Sequence, residues 1–408
     1  MKRVLLLILL SLLFSIPAYV YANTNTYATI EYTDSNALAE MLIPGREIKI
    51  TISNITNTNF VGICCYNKHG ELIDLYTSNN FDSKYVQILT IKDDVYMLKV
   101  FAWDNFDNMR PLMESYTKFR CMDYQKPLGN GTEDKPYEIT TPQELAYIFI
   151  ENTKYYILKN NIDLTSYEWM PYTFSGILDG QGNSIIGLSI SNNTNYSGLV
   201  STLRPQTVSI TEKPYGYYIP ACIKNLNVKI VHSGKKAIVS GGIVGLQYAF
   251  GKIINCNSSG YISAIGDESD ASKIAGGITG LNMGGTIEKC ISKATVTGIG
   301  EDDCSVGGIV GRNVAYVNNL YPEVTYCESF GSVKSYAKFN DFKHNKIIAG
   351  GIAGYNSGTI KDCKTSVKLY SDGICGGIAG YFSQENEICS KITDCYDESE
   401  ILGSLCLE

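Results

Sequence analysis

Histidine is scarce: the 408-residue chain has three, His69, His232 and His344, none near another and none at metal-binding spacing from a carboxylate. No His-Glu-x-x-His occurs, so a zinc hydrolase would lack its ligands. Gly-x-Ser-x-Gly is absent too, and Gly180-x-Gly182 has its next glycine at 187, two places late for a dinucleotide loop. Basic residues are in deficit, 34 Lys and Arg against 41 Asp and Glu, which argues against nucleic acid or an anionic membrane as partner. After the N-terminal segment no apolar run nears the ~18 residues of a membrane helix, so no membrane span is expected. Nothing in the sequence calls for a cofactor or a metal.

The N-terminus reads as a signal peptide. Met1-Lys2-Arg3 is charged, Leu5 to Ile16 is apolar, and Val20-Tyr21-Ala22 offers a small-residue cleavage site. Residues 1–22 are therefore assigned to export, and the mature chain to a secreted, extracellular or cell-surface setting. Loss of Lys2 and Arg3 moves the net charge from −7 to −9.

Between Gly241 and Cys395 one phrase occurs five times: Gly-Gly-Ile-x-Gly, with second glycines at Gly242, Gly277, Gly308, Gly351 and Gly377. Each copy precedes an apolar residue three places before a cysteine, namely Ile253 and Cys256, Ile287 and Cys290, Val324 and Cys327, Ile360 and Cys363, Ile392 and Cys395. Copies are spaced by 35, 31, 43 and 26 residues, a fixed phrase with variable connections, which predicts stacked units of a β-solenoid. Six places past each cysteine stands another inward candidate: Ile262, Val296, Val333, Leu369 and Ile401. Two past each phrase stands an amide, Gln247, Asn282, Asn313 or Asn356, with Phe382 in the fifth copy; stacked amides form ladders, and the glycines are expected to supply positive φ and close backbone approach. Ile185 with Leu188, and Ile223 with Leu226, read as earlier, degenerate versions of the anchor pair, and Ser197-Gly198-Leu199-Val200-Ser201 as a forerunner of the phrase.

Thirteen cysteines in an exported chain suggest disulfides, yet five share one repeat position. Rungs stack ~4.8 Å apart, whereas bridged Cβ atoms want ~3.8 Å, so the column is predicted to hold buried free thiols.

Ahead of the repeats, short alternating runs at Tyr27–Tyr32, Arg46–Ser53, Asn59–Tyr66, Glu71–Tyr76, Lys84–Lys92 and Val95–Trp103 predict an immunoglobulin-like β-sandwich over residues 23–122, with Ile48, Ile50 and Ile52 on one face. Residues 123–140, rich in turn formers, read as a linker, and 141–408 as the solenoid. Thr141-Pro142-Gln143-Glu144 is a capping box that opens a short helix to about Glu151, assigned as the N-terminal cap of the solenoid.

Gly-Gly-Ile-Val-Gly followed by Ile-x-Asn-Cys resembles the GLUG motif of secreted bacterial repeat proteins, over about residues 130 to 408. The lead-in Pro136-Tyr137-Glu138-Ile139, Ile162-Asp163-Leu164, Trp169 and Leu178-Asp179-Gly180-Gln181-Gly182 resembles that of such arrays. The resemblance implies surface and adhesin-like proteins, and modules beside the protease of some immunoglobulin-cleaving metalloproteases; it implies architecture and location, not chemistry. The fold class expected is thus all-β: an immunoglobulin-like sandwich, then a parallel β-helix of GLUG-type repeats with a short helical cap.

For chemistry, parallel β-helices point to carboxylates projecting from one face, and Asp163, Asp179, Glu288, Asp362 and Asp394 are the candidates. Strand alternation puts Asp362 and Asp394 outward together. Acidic turns at Asp267-Glu268-Ser269-Asp270, Glu301-Asp302-Asp303 and Asp104-Asn105-Phe106-Asp107-Asn108 lack the spacing of a calcium loop. Aromatic weight falls in the longest insertions, where Tyr215, Tyr217 and Tyr218, with Tyr316 and Tyr321, are the candidate binding residues. The function expected is non-enzymatic surface interaction, adhesion or display, with carbohydrate or a surface protein as partner; the alternative is a polysaccharide lyase or hydrolase. The chain ends about one strand past Cys395 without an evident cap, so self-association through an open last coil, or continuation in a longer protein, is expected.

Overall fold

The computed structural model describes residues 26–34, 39, 41–55, 60–79, 82–103, 113, 116–120, 122–167, 169–190, 195–208, 217–233, 237–265, 272–301, 303–315, 320–338, 346–383 and 391–402. The expected signal peptide lies outside them. The chain is all-β with one short helix and forms two compact units, Met1–Cys121 and Met122–Glu408.

The first unit has seven antiparallel strands: β1 (Tyr27–Tyr32), β2 (Glu47–Ser53), β3 (Phe60–Tyr66), β4 (Leu72–Ser78), β5 (Lys84–Thr90), β6 (Met97–Trp103) and β7 (Tyr116–Phe119). They form a sheet ordered β1-β2-β5 and a sheet ordered β4-β3-β6-β7, a two-sheet pattern of the immunoglobulin-like type. Alternation works as predicted in β2, whose Ile48, Ile50 and Ile52 are fully buried. Phe60, Phe101 and Trp103 stack with centroids 4.6 to 6.2 Å apart, and supply the bulk of one apolar cluster.

The second unit is a four-faced parallel solenoid. A single coil shows the rule. An anchor strand, Lys252–Ile254, turns at Asn255 and Cys256 into a long strand, Asn257–Ala264; then come a short strand, Lys273–Gly276, the Gly-Ile corner and an amide strand, Thr279–Met283. Coils pair in register on all four faces, so Ile223, Ile253, Ile287, Val324, Ile360 and Ile392 form one column and Ile262, Val296, Val333, Leu369 and Ile401 another.

The glycines serve close approach alone. No glycine of the five phrases has positive φ, against expectation. A Cβ on Gly277 would lie 2.0 Å from the carbonyl oxygen of Gly308 and 2.1 Å from Ser292 Oγ, and one on Gly308 would lie 2.1 Å from Gly351 O. At the same corner the carbonyls of Ile278, Ile309, Ile352 and Ile378 each accept two amides from the preceding coil: Ile278 O takes Ile243 N at 3.0 Å and Val244 N at 3.2 Å, and Ile309 O takes Ile278 N at 2.8 Å and Thr279 N at 3.1 Å. Positive φ is found instead before Leu226 and before each cysteine of the column, at Asn225, Asn255, Lys289, Tyr326, Asp362 and Asp394, all between 52° and 56°.

The polar residues of the interior form columns. Asn282 Nδ2 donates to Asn313 Oδ1 at 3.0 Å, Asn313 Nδ2 to Asn356 Oδ1 at 2.8 Å, and Asn282 and Asn356 also close the glycine turns at Gly285 and Gly358. The ten described cysteines are free thiols. Each thiol of the column faces the carbonyl two residues before it at 3.2 to 3.3 Å, and the anchor carbonyl of the preceding coil at 3.5 to 3.8 Å. Burial pushes the Cys290 and Cys327 thiols well up, and a hydrogen bond with Cys327, then burial, pushes Cys363 up to about 12, so these sulfurs stay protonated.

The cap is helix α1 (Pro142–Ala146) with both capping-box bonds, Glu144 N to Thr141 Oγ1 at 3.2 Å and Thr141 N to Glu144 Oε2 at 3.1 Å. It runs into a 3₁₀ turn, Tyr147–Phe149, where Phe149 packs on Trp169 at 5.5 Å. Burial opposes charge on Glu151, but hydrogen bonds from the Tyr147 and Tyr137 hydroxyls and the Lys126 ammonium outweigh it and hold the carboxyl below its usual range. Residues 128–139, read from composition as linker, belong to this end: Tyr137–Ile139 pairs with Tyr155–Leu158, and Glu138 N bonds Leu128 O at 2.8 Å. The degenerate first anchor is Leu178, which pairs with Ile223; Ile185 and Leu188 pair instead with Val228 and Ile230 on the long face, displaced by the turn through Gln181 and Gly182.

Two outcomes follow. Gly277→Ala forces neighbouring coils apart and is expected to lower unfolding free energy by about 1–3 kcal/mol or more, read from urea denaturation. In native-state alkylation followed by mass spectrometry, Cys395, the partly exposed member of the column, reacts first, while Cys256, Cys290 and Cys327 react only in denaturant.

Candidate functional site

The carboxylates proposed from the sequence are engaged locally. Asp163 accepts from the Thr165 amide and hydroxyl at 2.9 and 2.6 Å. Asp179 accepts from Gln181 N at 2.9 Å and Asn225 Nδ2 at 3.0 Å, with Lys224 at 3.3 Å, and Glu288 pairs with Lys289 at 2.8 Å. Asp362 and Asp394 do not alternate within a strand. They occupy the left-handed corner, below Asn225, Asn255, Lys289 and Tyr326, where a short polar side chain is tolerated on backbone grounds. The first members of that column form a ladder, Asn255 Nδ2 to Asn225 Oδ1 at 2.8 Å.

The tyrosines fare differently. Tyr215 and Tyr316 lie outside the described residues. Tyr217 and Tyr218 sit on a hairpin, Gln206–Val208 with Tyr217–Ile219, where the half-exposed Tyr218 stacks on Phe250 at 5.0 Å. Tyr321 is partly buried in another insertion. Of the acidic turns, 104–108 and 267–270 lie outside the described residues; Glu301 pairs with Lys338 at 2.8 Å and Asp303 with Arg312.

Sequence reasoning passed over a different column. Immediately after the closing glycine of each phrase comes the residue that alternates with the inward amide, and these stack in register as Leu246, which is covered, and Leu281, Arg312, Tyr355 and Tyr381, which are more exposed. Tyr355 and Tyr381 are parallel, 5.3 Å apart and 12° from coplanar. They line a cleft of about 600 Å³ with Arg312, Asp303, Lys346, Val314, Ile348 and Ser383. Neither Tyr218 nor Tyr321 lines it.

The cleft is built by repeat geometry. In-register amide strands hold both rings face to face, and the short face contributes Ile348 as an apolar wall. Arg312 is fixed on two sides, Nε donating to Ser305 Oγ at 3.0 Å and Nη2 to the Asp303 carboxylate. Its Nη1 edge, the Lys346 ammonium and the Tyr355 and Tyr381 hydroxyls have no hydrogen-bond partner among the described residues. Such an array of stacked rings, apolar wall and unspent donors suits a polar ligand with a flat apolar face.

Lys289→Asn places a residue that accepts left-handed φ at the corner, next to the Asn255 ladder, and gives up an exposed ion pair with Glu288 and a contact with the Tyr326 ring at 6.0 Å. It is expected to raise stability by about 0.5–1 kcal/mol in urea unfolding.

No family model and no curated protein matches the chain. Among solved structures it is similar to a Bacteroides ovatus protein described as a putative immunoglobulin A1 protease, with 22% sequence identity and a TM-score of 0.49, over 68% of this chain and 79% of that one.

Proposed function

We propose that this β-solenoid is a secreted or cell-surface, non-enzymatic protein that recognises carbohydrate on a surface. The observation that carries the reading is the Tyr355–Tyr381 pair, held parallel at 5.3 Å in a cleft with free hydroxyl and cationic donors. Aromatic faces take the C–H face of a sugar ring, while convergent donors take its hydroxyls. Tyr381, 44% exposed, presents a ring already immobilised by its neighbour, so binding orders little. The signal-peptide pattern at residues 1–22 and the GLUG-like phrases agree with a surface setting. Among the described residues Asp303 is the one carboxylate lining the cleft, and it is spent on Arg312, which favours a binder over a two-carboxylate hydrolase.

The test is a panel of immobilised oligosaccharides run beside a reducing-end assay. Retention without release of reducing ends is expected, with Tyr381→Ala weakening retention roughly tenfold, the order of a lost aromatic stacking contact. Release of reducing ends that disappears in Asp362→Asn or Asp394→Asn would make the chain an enzyme.

A further inference from the structure

Resting on that reading, we infer that the cleft is selective for an acidic sugar, one bearing a single carboxylate. The net charge of the chain is −7, so a polyanion meets general repulsion, yet the described residues that line the cleft include two cations against one acid. Asp303 and Arg312 neutralise each other, which leaves the Lys346 ammonium as the uncompensated charge. One excess positive charge matches a monoanion and undercompensates a phosphate dianion.

Geometry points the same way. Arg312 is not a mobile surface side chain: Ser305 and Asp303 occupy its Nε and Nη2, so the Nη1 edge is held in place and is the part left to a ligand. A guanidinium edge and an ammonium from different strands can take the two oxygens of one carboxylate, and charge-assisted bonds of this kind are the strong ones. The ring carrying that carboxylate then lies on Tyr381, the outer ring of the stacked pair, with Val314 and Ile348 against its apolar edge. A neutral sugar uses the aromatic platform alone and leaves Lys346 unpaired, so the site distinguishes acid from neutral by what it leaves unsatisfied.

Deeper in the stack the same column is Leu246 and Leu281, without charge or aromatic ring. The cleft is therefore confined to the coils carrying Arg312, Tyr355 and Tyr381, and one acidic unit per chain is expected rather than a repeating track.

The probes are methyl galacturonide and its methyl ester, which share a shape and differ by one charge, together with sialyllactose and lactose. Calorimetric titration of the full chain is expected to show the acid member of at least one pair bound roughly tenfold or more tightly than its neutral partner, with the difference shrinking as salt rises. The responding pair identifies the source, uronate or sialate. Lys346→Gln brings the acid ligand down to the level of the neutral one, and Tyr381→Ala weakens both members, each variant being checked for an unchanged thermal transition. Equal binding of acid and neutral members, or a sulfated trisaccharide outcompeting the carboxylate, overturns the inference and leaves carbohydrate recognition standing. No binding by any of these probes or by the neutral panel overturns both.

Discussion

Everything in the solenoid depends on how closely two backbones approach at the Gly-Gly-Ile corner. There the carbonyls of Ile278, Ile309, Ile352 and Ile378 each accept two amides of the neighbouring coil, and the second glycine lies so near the next coil that a Cβ would fall about 2 Å from its carbonyl oxygen. Real Cβ atoms do not approach oxygen that closely, so glycine is demanded by space and not by φ. This corner sets the pitch, and the pitch sets the register of all four faces. Because side chains alternate with period two, a register fixed at one corner decides which residues every strand turns inward.

A fixed pitch also explains the polar interior. Buried amides and thiols would each cost free energy if unpaired, yet stacking at one spacing lets every coil satisfy its neighbour. Asn282, Asn313 and Asn356 bond along the axis, and the cysteine sulfurs face carbonyls of two coils at once. Cysteine suits that position because it fills space as a small hydrophobe while offering a weak donor, whereas Leu226, at the same place in an earlier coil, only fills it. The ladders fade where coils stop repeating: Phe382 replaces the amide, and Ile392 and Ile401, whose counterparts Ile360 and Leu369 are fully buried, are partly exposed in the last described rung.

Much of this architecture was legible in the sequence. The recurrence of the phrase, the anchor three places before cysteine, the residue six places after it and the capping box at Thr141 each reflect local chemistry that repeats, so periodicity alone exposes them. What escaped has non-local causes. Ile185 and Leu188 have the right spacing but the wrong face, because the turn through Gln181 and Gly182 uses extra residues before the long strand begins. The left-handed corner was hidden because Asn, Lys, Tyr and Asp share it, and Lys and Tyr do not announce positive φ. Alternation therefore misassigned Asp362 and Asp394, which lie between strands rather than within one.

The cleft was illegible for a further reason. Tyr355 and Tyr381 are 26 residues apart, and Arg312 stands 43 before Tyr355, so only the stacked register brings these three together beside Lys346. One signal was present nonetheless. The position after the closing glycine reads Leu, Leu, Arg, Tyr, Tyr through the five copies, varying in character while its neighbours hold constant. In a solenoid the constant positions are those that meet the next coil, and they are constrained by it. A position that turns outward beside them is held just as rigidly but is free to change, since nothing in the stack depends on its side chain. Recognition can thus be altered one coil at a time without disturbing the pitch, which is why the outward column, and not the cysteines or the glycines, is where ligand chemistry belongs.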